Sequence, residues 1–338
     1  MKKRYNLFLR TSLVLVYLVI AAGSIVRMTG SGMGCPDWPK CFGYLIPPTE
    51  RAQLDWKAQH PYEKGQVIIV EESLRVAPKD FISGTEFQAE NWEAYTRHDY
   101  AIFNPTHTWI EFINRLLGAL AGLATLLLFI SSIFRFKRDR LASLISFLII
   151  LGMGFQAWLG KTVVDSNLLP FKITIHMGMA LLLVLLLVYL LARVNDSKPT
   201  LPGSFSFKVW LAVGLLLTLV QIGMGTQVRQ FVDDQMHLWG LDAASKWLSE
   251  APFLFYFHRS FSLLVFAVHG LLFYRLWQTQ YLPPVFLSIL FLIGLEILSG
   301  ILMFYFDFPF SSQPLHLIFA SLLFGAQSYF MIRLIQQK

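Results

Sequence analysis

The sequence predicts an all-α integral membrane protein in which eight transmembrane helices form two four-helix bundles related by a pseudo-twofold axis. Three observations predict this fold class: a very apolar composition, eight long apolar stretches, and motifs that recur in both halves of the chain. Hydrophobic residues make up 55% of the 338 residues, charged residues only 14%, and the mean hydropathy is +0.53. Because soluble domains contain about 25% charged residues, this composition indicates a membrane protein surrounded by lipid.

Eight stretches are long enough to cross about 30 Å of hydrocarbon. In chain order they are residues 9–26, 109–134, 141–164, 173–194, 205–228, 253–276, 284–306 and 314–335. The first has a short basic lead but no small-residue cleavage site, so it is predicted to be a retained span. The halves are predicted at residues 1–198 and 199–338. Because each half contains an even number of spans, both halves share one orientation, as in parallel repeats.

The basic residues lie mainly in the connections on one side of the predicted membrane, for example at Arg135, Lys137, Arg138 and Arg140. By the positive-inside rule this side is cytoplasmic. Both termini are therefore predicted inside, and the long connections at about 29–108 and 230–252 outside. The net charge of +7 follows this topology, so it does not indicate nucleic-acid binding. No transit peptide is evident, which favours a bacterial plasma membrane.

Three pairs of motifs align the two halves of the chain. The motif "INRLLG" against "FHRSFS" places Asn114 and Arg115 opposite His258 and Arg259. A second pair places Gly160 opposite Gly300 and His176 opposite His316, and a third places Gly23–Arg27 opposite Gly225–Arg229. At a rise of about 1.5 Å per residue, Asn114, His176, His258 and His316 all lie within roughly two turns of the outer surface.

Paired histidines at one depth of neighbouring helices indicate a haem site. His258 and His316 are predicted to bind one haem iron from its two sides. The alternative, a histidine that caps a helix or packs against it, is less favoured because ionisable residues within spans are functional by default. His176 is predicted to bind a second iron in the first half, although its partner position there is Asn114.

Four arginines recur at repeat-related positions near the outer surface: Arg27, Arg115, Arg229 and Arg259. Guanidinium groups bind carboxylates bidentately, so these residues are predicted to contact haem propionates. The alternative is that they extend to the membrane interface and need no ligand.

Glu111 belongs to one half only, because the position aligned with it is Phe255. On a helix, Glu111 and Asn114 share a face, so the carboxylate is predicted to face the first-half site. It would accept a proton or stabilise developing positive charge there. The alternative is an ion pair with Arg115. This asymmetry predicts a permanent haem in the second half and chemistry in the first.

Cys35 and Cys41 lie in "GCPDWPKCFG" at the start of the long outer connection. A disulfide is favoured over free thiols in this oxidising compartment, while redox activity is a weaker hypothesis and a metal site weaker still. The rest of this connection is predicted to be partly helical.

His269, three turns below His258, is predicted to make a polar core contact. Glu296 is predicted to be a hydrogen-bonded carboxyl or part of a proton or quinone path.

The runs "GSIVRMTGSGMGCPDWPKCFGYLIPPT", "EFINRLLG", "FHRSFS" and "QPLHL" resemble the haem A synthase family, and the resemblance spans essentially the whole chain. It implies oxidation of the C8 methyl group of haem O to a formyl group, which gives haem A for cytochrome oxidase. It further implies a cofactor haem b held by His258 and His316, a substrate haem on His176, and Glu111 as the catalytic glutamate. Cys35 and Cys41 correspond to the family's outer-loop cysteines, and the haem O-forming farnesyltransferase is the implied partner.

The chain departs from this family at Asn114, where most members have histidine. The substrate haem is then expected to be five-coordinate on His176, or Asn114 to orient a water molecule. Two other functions stay open: a b-type haem electron carrier that oxidises quinol, and a haem or solute transporter. The electron acceptor, for which quinone is a candidate, and assembly as a homo-oligomer are not fixed by the sequence.

Overall fold

The computed structural model describes residues 2–95, 103–166, 168–195 and 204–337. It contains eight helices long and apolar enough to cross a membrane, so the prediction of an all-α multi-pass membrane protein is confirmed. Their bounds are α1 Lys2–Met28, α2 Pro105–Ile133, α3 Arg140–Asp165, α4 Pro170–Val194, α5 Phe205–Trp239, α6 Phe253–Gln278, α7 Pro284–Tyr305 and α8 Ser312–Gln336. The predicted boundary at residues 198 and 199 lies outside the described residues.

The helix starts follow from local capping chemistry. The side chain of Asn104 accepts hydrogen bonds from the backbone N–H groups of Thr106 and His107, at 3.0 and 3.2 Å, and Pro105 occupies the first turn of α2. Asp139 caps α3 in the same way, through the N–H of Ala142 at 3.1 Å. Such caps satisfy N–H groups that have no partner within the helix.

Helix neighbours are arranged in the same way in the two halves. In the first half α1 packs on α2, α2 on α3, α3 on α4 and α4 on α1, and the second half repeats this order from α5 to α8. Across the halves α4 packs on α8, α1 on α8, and α4 on α5. Exchange of the halves maps the contact of α1 with α8 onto that of α4 with α5, and the contact of α4 with α8 onto itself. The arrangement is compatible with two bundles related by a pseudo-twofold axis.

Helix α5 is longer than its span, because its 35 residues extend about 52 Å at 1.5 Å per residue. Its last turns therefore project beyond about 30 Å of hydrocarbon. We call the end of the helices that carries the 29–104 and 240–252 connections the loop side. The last turns of α5 project on this side. The sequence prediction ended this span at Val228 because the following residues are mostly polar.

The described part of the long connection forms short strands and 3-10 helices at Arg51–Leu54 and Ala89–Asn91, so it is partly helical as predicted, but only in single turns. Strand β1 (Pro61–Tyr62) pairs with β4 (Phe81–Ile82), and β2 (Val67–Val70), β3 (Ser73–Val76) and β5 (Glu93–Ala94) form an antiparallel sheet. The run of β-branched residues in β2 is typical of a buried strand. Glu71 and Glu72 close the β2–β3 hairpin with positive φ angles of 49° and 56°, a turn that usually contains Asn and Gly.

Candidate functional site

The four repeat-related ligand positions each face a glycine that is also repeat-related. A Cβ atom added to any of these glycines would be within van der Waals reach of the side chain at the candidate ligand position, and tightly so only at Gly225. The distances from such a Cβ are 3.8 Å for Gly23 to Asn114 Oδ1, 3.5 Å for Gly160 to His176 Nε2, 3.2 Å for Gly225 to His258 Cε1, and 3.9 Å for Gly300 to His316 Cε1.

His258 on α6 and His316 on α8 have ring centres 6.5 Å apart, and the rings are inclined at 76°. Two imidazoles that bind one metal ion from opposite sides, each through a bond of about 2 Å, hold their ring centres roughly 6 Å apart. The separation of these two rings therefore fits a single iron between them. Among the described residues α6 and α8 do not pack closely on each other, so the two imidazoles approach each other from separate helices.

Helix α7 sets the tautomer of His316. The hydroxyl of Ser299 donates to the backbone carbonyl of Glu296 at 3.0 Å, so its oxygen accepts a hydrogen bond from Nδ1 of His316 at 2.8 Å. The Glu296 carboxylate oxygen lies 3.2 Å from the same nitrogen. With its proton on Nδ1, His316 presents the lone pair of Nε2 to a metal.

The sequence prediction missed the contact between Glu296 and His316, although a signal for it was present. Glu296 precedes Gly300 by one helical turn, and Gly300 is the residue that the repeat places next to His316. Residues four apart lie on one face of a helix, so both contact the same side chain. The aligned residue in the first half, Gln156, instead donates to the backbone carbonyl of His176 at 3.0 Å.

Two polar atoms at the ligand positions are buried and have no hydrogen-bond partner among the described residues: Oδ1 of Asn114 and Nδ1 of His258. Buried polar groups are almost always hydrogen-bonded, so such orphaned atoms indicate a missing ligand or water molecule. Within the described residues, no group of three or more His, Cys, Asp or Glu side chains could hold a metal ion. The opposed pair of His258 and His316 is a donor set that fits an iron whose other ligands come from a macrocycle.

Glu111 is 3% exposed and is directed at the connection between α1 and α2. Its Oε2 accepts a hydrogen bond from the backbone N–H of Cys35 at 2.8 Å, and its Oε1 forms an ion pair with Arg115. The ion pair that the sequence offered as an alternative is therefore present. Two donors thus hold the carboxylate, the N–H of Cys35 and the guanidinium of Arg115.

Cys35 and Cys41 form a disulfide, and the segment from Cys35 to Gly43 closes into a compact ring. The carboxylate of Asp37 accepts hydrogen bonds from the N–H groups of Phe42 and Gly43, at 2.6 and 2.8 Å. Burial raises the pKa of Asp37 above its usual value, and these two hydrogen bonds oppose that rise. A Cβ on Gly43, whose φ is +81°, would lie 2.4 Å from the backbone of Gly65 and Gln66, so only glycine fits there.

Arg115 fills the centre of this ring. Its guanidinium donates to the backbone carbonyls of Asp37 at 2.6 Å, Lys40 at 3.1 Å and Cys35 at 3.2 Å. The sequence predicted a propionate contact for Arg115 but not this one, because a motif does not reveal which carbonyl groups a loop directs inward. The propionate contact of Arg115 stays a prediction, and its four observed contacts, including Glu111, hold the ring on α2.

The other three arginines have different surroundings. Arg259 is exposed and lies over the ring of Phe304, 4.6 Å from its centre, with no ion pair among the described residues. Arg27 and Arg229 instead meet at one carboxylate, that of Asp233, which the sequence analysis did not select. Asp233 lies in the part of α5 beyond the predicted span, where the repeat gave no guide to function.

His269 lies in a buried polar network deeper in the second half. Its Nδ1 donates to the carbonyl of Val265 at 2.8 Å, and its Nε2 accepts from the amide of Gln327 at 2.9 Å. The same amide also donates to Thr218 at 3.0 Å, which ties α5, α6 and α8 together. This direct contact leaves no room for a cofactor between His269 and Gln327.

Comparison with known proteins gives one family for nearly all of the chain. The family described as cytochrome oxidase assembly protein (COX15-CtaA) matches residues 6–87 and 82–328. A protein named Heme A synthase from Wolbachia pipientis wMel is 23% identical over 349 residues, which cover 96% of this chain and 91% of that protein. One of the same name from Rickettsia prowazekii is 23% identical and covers 92% of both chains. A third, from Shewanella oneidensis, is 29% identical, and this chain spans 44% of its length.

Proposed function

Since the chain belongs to the COX15-CtaA family of cytochrome oxidase assembly proteins, we propose that it acts as a haem A synthase on haem O. In the proposed reaction the C8 methyl group of the substrate is hydroxylated twice. Each step adds the oxygen atom of a water molecule and releases two electrons and two protons, and loss of water from the resulting diol leaves a formyl group. The first half, residues 1–198, binds the substrate, and the second half, residues 199–338, binds a cofactor haem b. The long connection faces the outside of a bacterial plasma membrane, and both termini face the cytoplasm.

The observation that carries this proposal is the opposed pair of His258 and His316, with a proton held on Nδ1 of His316 by Ser299. A haem b bound between them would supply one-electron redox chemistry. Arg259, exposed and without an ion pair among the described residues, is placed one residue after a ligand and would bind a propionate. Electrons from the substrate then pass to an acceptor outside the chain, for which a quinone is the candidate.

In the first half, His176 binds the iron of the substrate and Asn114 occupies the opposite position. The orphaned Oδ1 of Asn114 is an acceptor, so it orients a water molecule or the hydroxylated carbon rather than the iron itself. Glu111 accepts the proton that leaves during hydroxylation, while Arg115 and the N–H of Cys35 keep its carboxylate in place.

The experiment that tests this function is haem extraction from cells that make haem O, with and without this protein. Haem A is expected only where the protein is present together with the haem O-forming farnesyltransferase. Unchanged haem O with a haem b spectrum in the purified protein would instead support the b-type electron carrier. Absence of any haem band from the purified protein would support a transporter.

Replacement Asn114→His is expected to convert the substrate site to a pair of histidines. Because a second imidazole would then bind the iron opposite His176, the substrate haem should change from a five-coordinate to a six-coordinate low-spin spectrum. Resonance Raman or electron paramagnetic resonance spectra of substrate-loaded protein measure this change. Asn114→Gln keeps the amide and serves as the control. Identical spectra of the wild type and the histidine variant would contradict a five-coordinate substrate.

Replacement Ser299→Ala is expected to weaken retention of haem b by about tenfold, because partners of a metal-ligating histidine typically contribute 10–100-fold to affinity. The Nδ1 proton of His316 would retain only the carboxylate of Glu296. Haem content after washing with a competing apo-protein measures the effect. Ser288→Ala on the exposed face of the same helix is the matched control, and equal haem loss in both variants would contradict the role of Ser299.

A further inference from the structure

Arg27, Arg229 and Asp233 form a cluster at the loop side that joins the two halves, which we call the arginine bridge. Nε of Arg27, from α1, lies 2.6 Å from Oδ2 of Asp233, and Nη2 of Arg229 lies 2.6 Å from Oδ1 of the same carboxylate. Arg229 also donates to the backbone carbonyl of Arg27 at 3.1 Å. One carboxylate of the second half thus holds an arginine from each half.

Each arginine of the bridge follows, by one helical turn towards the loop side, a glycine that contacts a candidate ligand position. Arg27 follows Gly23 by four residues, and Gly23 contacts Asn114 of the first-half site. Arg229 follows Gly225 by four residues, and Gly225 contacts His258 of the second-half site. Residues four apart on a helix lie on one face, about 6 Å apart. The bridge therefore connects the loop-side edges of both sites through a single acidic group.

The bridge carries two positive charges and one negative charge, and it is largely withdrawn from water. Asp233 is 9% exposed, and Nη1 of Arg229 is buried without a hydrogen-bond partner among the described residues. Charges a few ångströms apart interact strongly in such surroundings. A further carboxylate that binds either arginine would therefore compete with Asp233 for it. Asp233 has no counterpart in the first half, because the residue aligned with it there is Ser31.

We propose that Asp233 couples the two sites electrostatically, so that binding of a carboxylate-bearing porphyrin in the first half lowers the reduction potential of the haem in the second half. This inference rests on the proposed function. A propionate that binds Arg27 takes this arginine away from Asp233. The carboxylate of Asp233 then keeps only Arg229 as a partner, so more of its negative charge is felt at the haem site of the second half. Negative charge near a haem favours its oxidised, more positive form. Substrate binding is thereby communicated to the electron-transfer site.

The test is a redox titration of haem b in purified full-length protein, with and without zinc protoporphyrin. This porphyrin carries two propionates and does not change redox state in the range of the titration. Its binding to the first half is first measured by fluorescence, with His176→Ala as the control for the site. The wild-type potential is expected to fall on saturation. Absence of His176-dependent binding would contradict the proposed substrate site, whereas binding without a change in potential would overturn the coupling alone.

The variant Asp233→Asn is expected to raise the resting potential and to lose the response to porphyrin. We expect about a tenfold change in the ratio of reduced to oxidised haem at a fixed potential, which is about 59 mV for one electron. Asp234→Asn removes the same charge from the next, exposed residue and should behave like the wild type. Equal shifts in these two variants would overturn the proposal.

The variant Arg27→Gln separates coupling from a disturbance of the fold. It removes a positive charge, so it is expected to lower the resting potential and also to abolish the response to porphyrin. A purely structural disturbance would move the potential in one direction in both variants. Asp233→Glu restores the charge and should restore the response if the carboxylate itself is responsible. Failure of this rescue, with haem b still bound, would contradict the assignment.

Discussion

Replacement of His316 by alanine is expected to remove haem b from the purified protein almost completely. His316 is one of the two histidines proposed to bind the iron, and Ser299 and Glu296 both contact Nδ1 of its ring. Since loss of an orienting partner alone costs about 10–100-fold in metal affinity, loss of the ligand itself should cost more. The reduced-minus-oxidised spectrum and the haem content per polypeptide measure the effect.

The matched control for this prediction is His237→Ala, at an exposed histidine on the loop-side end of α5. It should keep the spectrum of the wild type. The variant His258→Ala should behave like His316→Ala, because both rings are proposed to bind the same iron. Full haem content and an unchanged low-spin spectrum in either ligand variant would refute a bis-histidine site in the second half.

Replacement of Glu111 by glutamine is expected to leave haem b bound and to reduce haem A formation by about 100-fold or more, the range that general acid–base catalysis contributes. The amide oxygen of glutamine still accepts from the N–H of Cys35, so the ring from Cys35 to Gly43 keeps this hydrogen bond. The ability to take up a proton is lost. Extraction of haems from cells that supply haem O, followed by chromatography, measures the ratio of haem A to haem O.

The buried ion pair of Glu111 with Arg115 requires a separate check, because removal of one partner leaves an uncompensated charge and costs roughly 3–5 kcal/mol. Thermal unfolding of the variant therefore accompanies the assay. Glu90→Gln, at an exposed site of the long connection, controls for loss of a carboxylate. Normal haem A formation in Glu111→Gln would restrict Glu111 to a structural role. Inactivity with full haem b content, in a variant that stays folded at the temperature of the assay, supports the catalytic one.

The membrane-spanning helices could be predicted because apolar length is a local property of the sequence. The end of α5 could not, since its last turns leave the hydrocarbon and are polar, and their stability depends on contacts such as that between Asp233 and Arg27. The strands of the long connection were missed for a similar reason. The hairpin turn at Glu71 and Glu72 adopts positive φ angles, although it lacks the Asn and Gly residues that usually indicate such a turn in a sequence.

The candidate ligand positions could be predicted from the repeat, because duplication places equivalent side chains at equal depth. What the repeat could not reveal is where the two halves differ. The ring around Arg115 depends on loop carbonyls, and the contact between Glu296 and His316 depends on a residue whose counterpart is Gln156. Both features join residues that are distant in sequence or lack a symmetric equivalent, so they required the structure.

The contact of α4 with α8 has a consequence for the origin of the chain. These two helices are each other's counterparts, so the surface between them is isologous, the kind of surface that forms between identical subunits of a symmetric dimer. A single four-helix ancestor would dimerise through this same face. Within one fused chain the two halves need not stay identical, and they differ here at Asn114, which aligns with His258, and at Glu111, which aligns with Phe255.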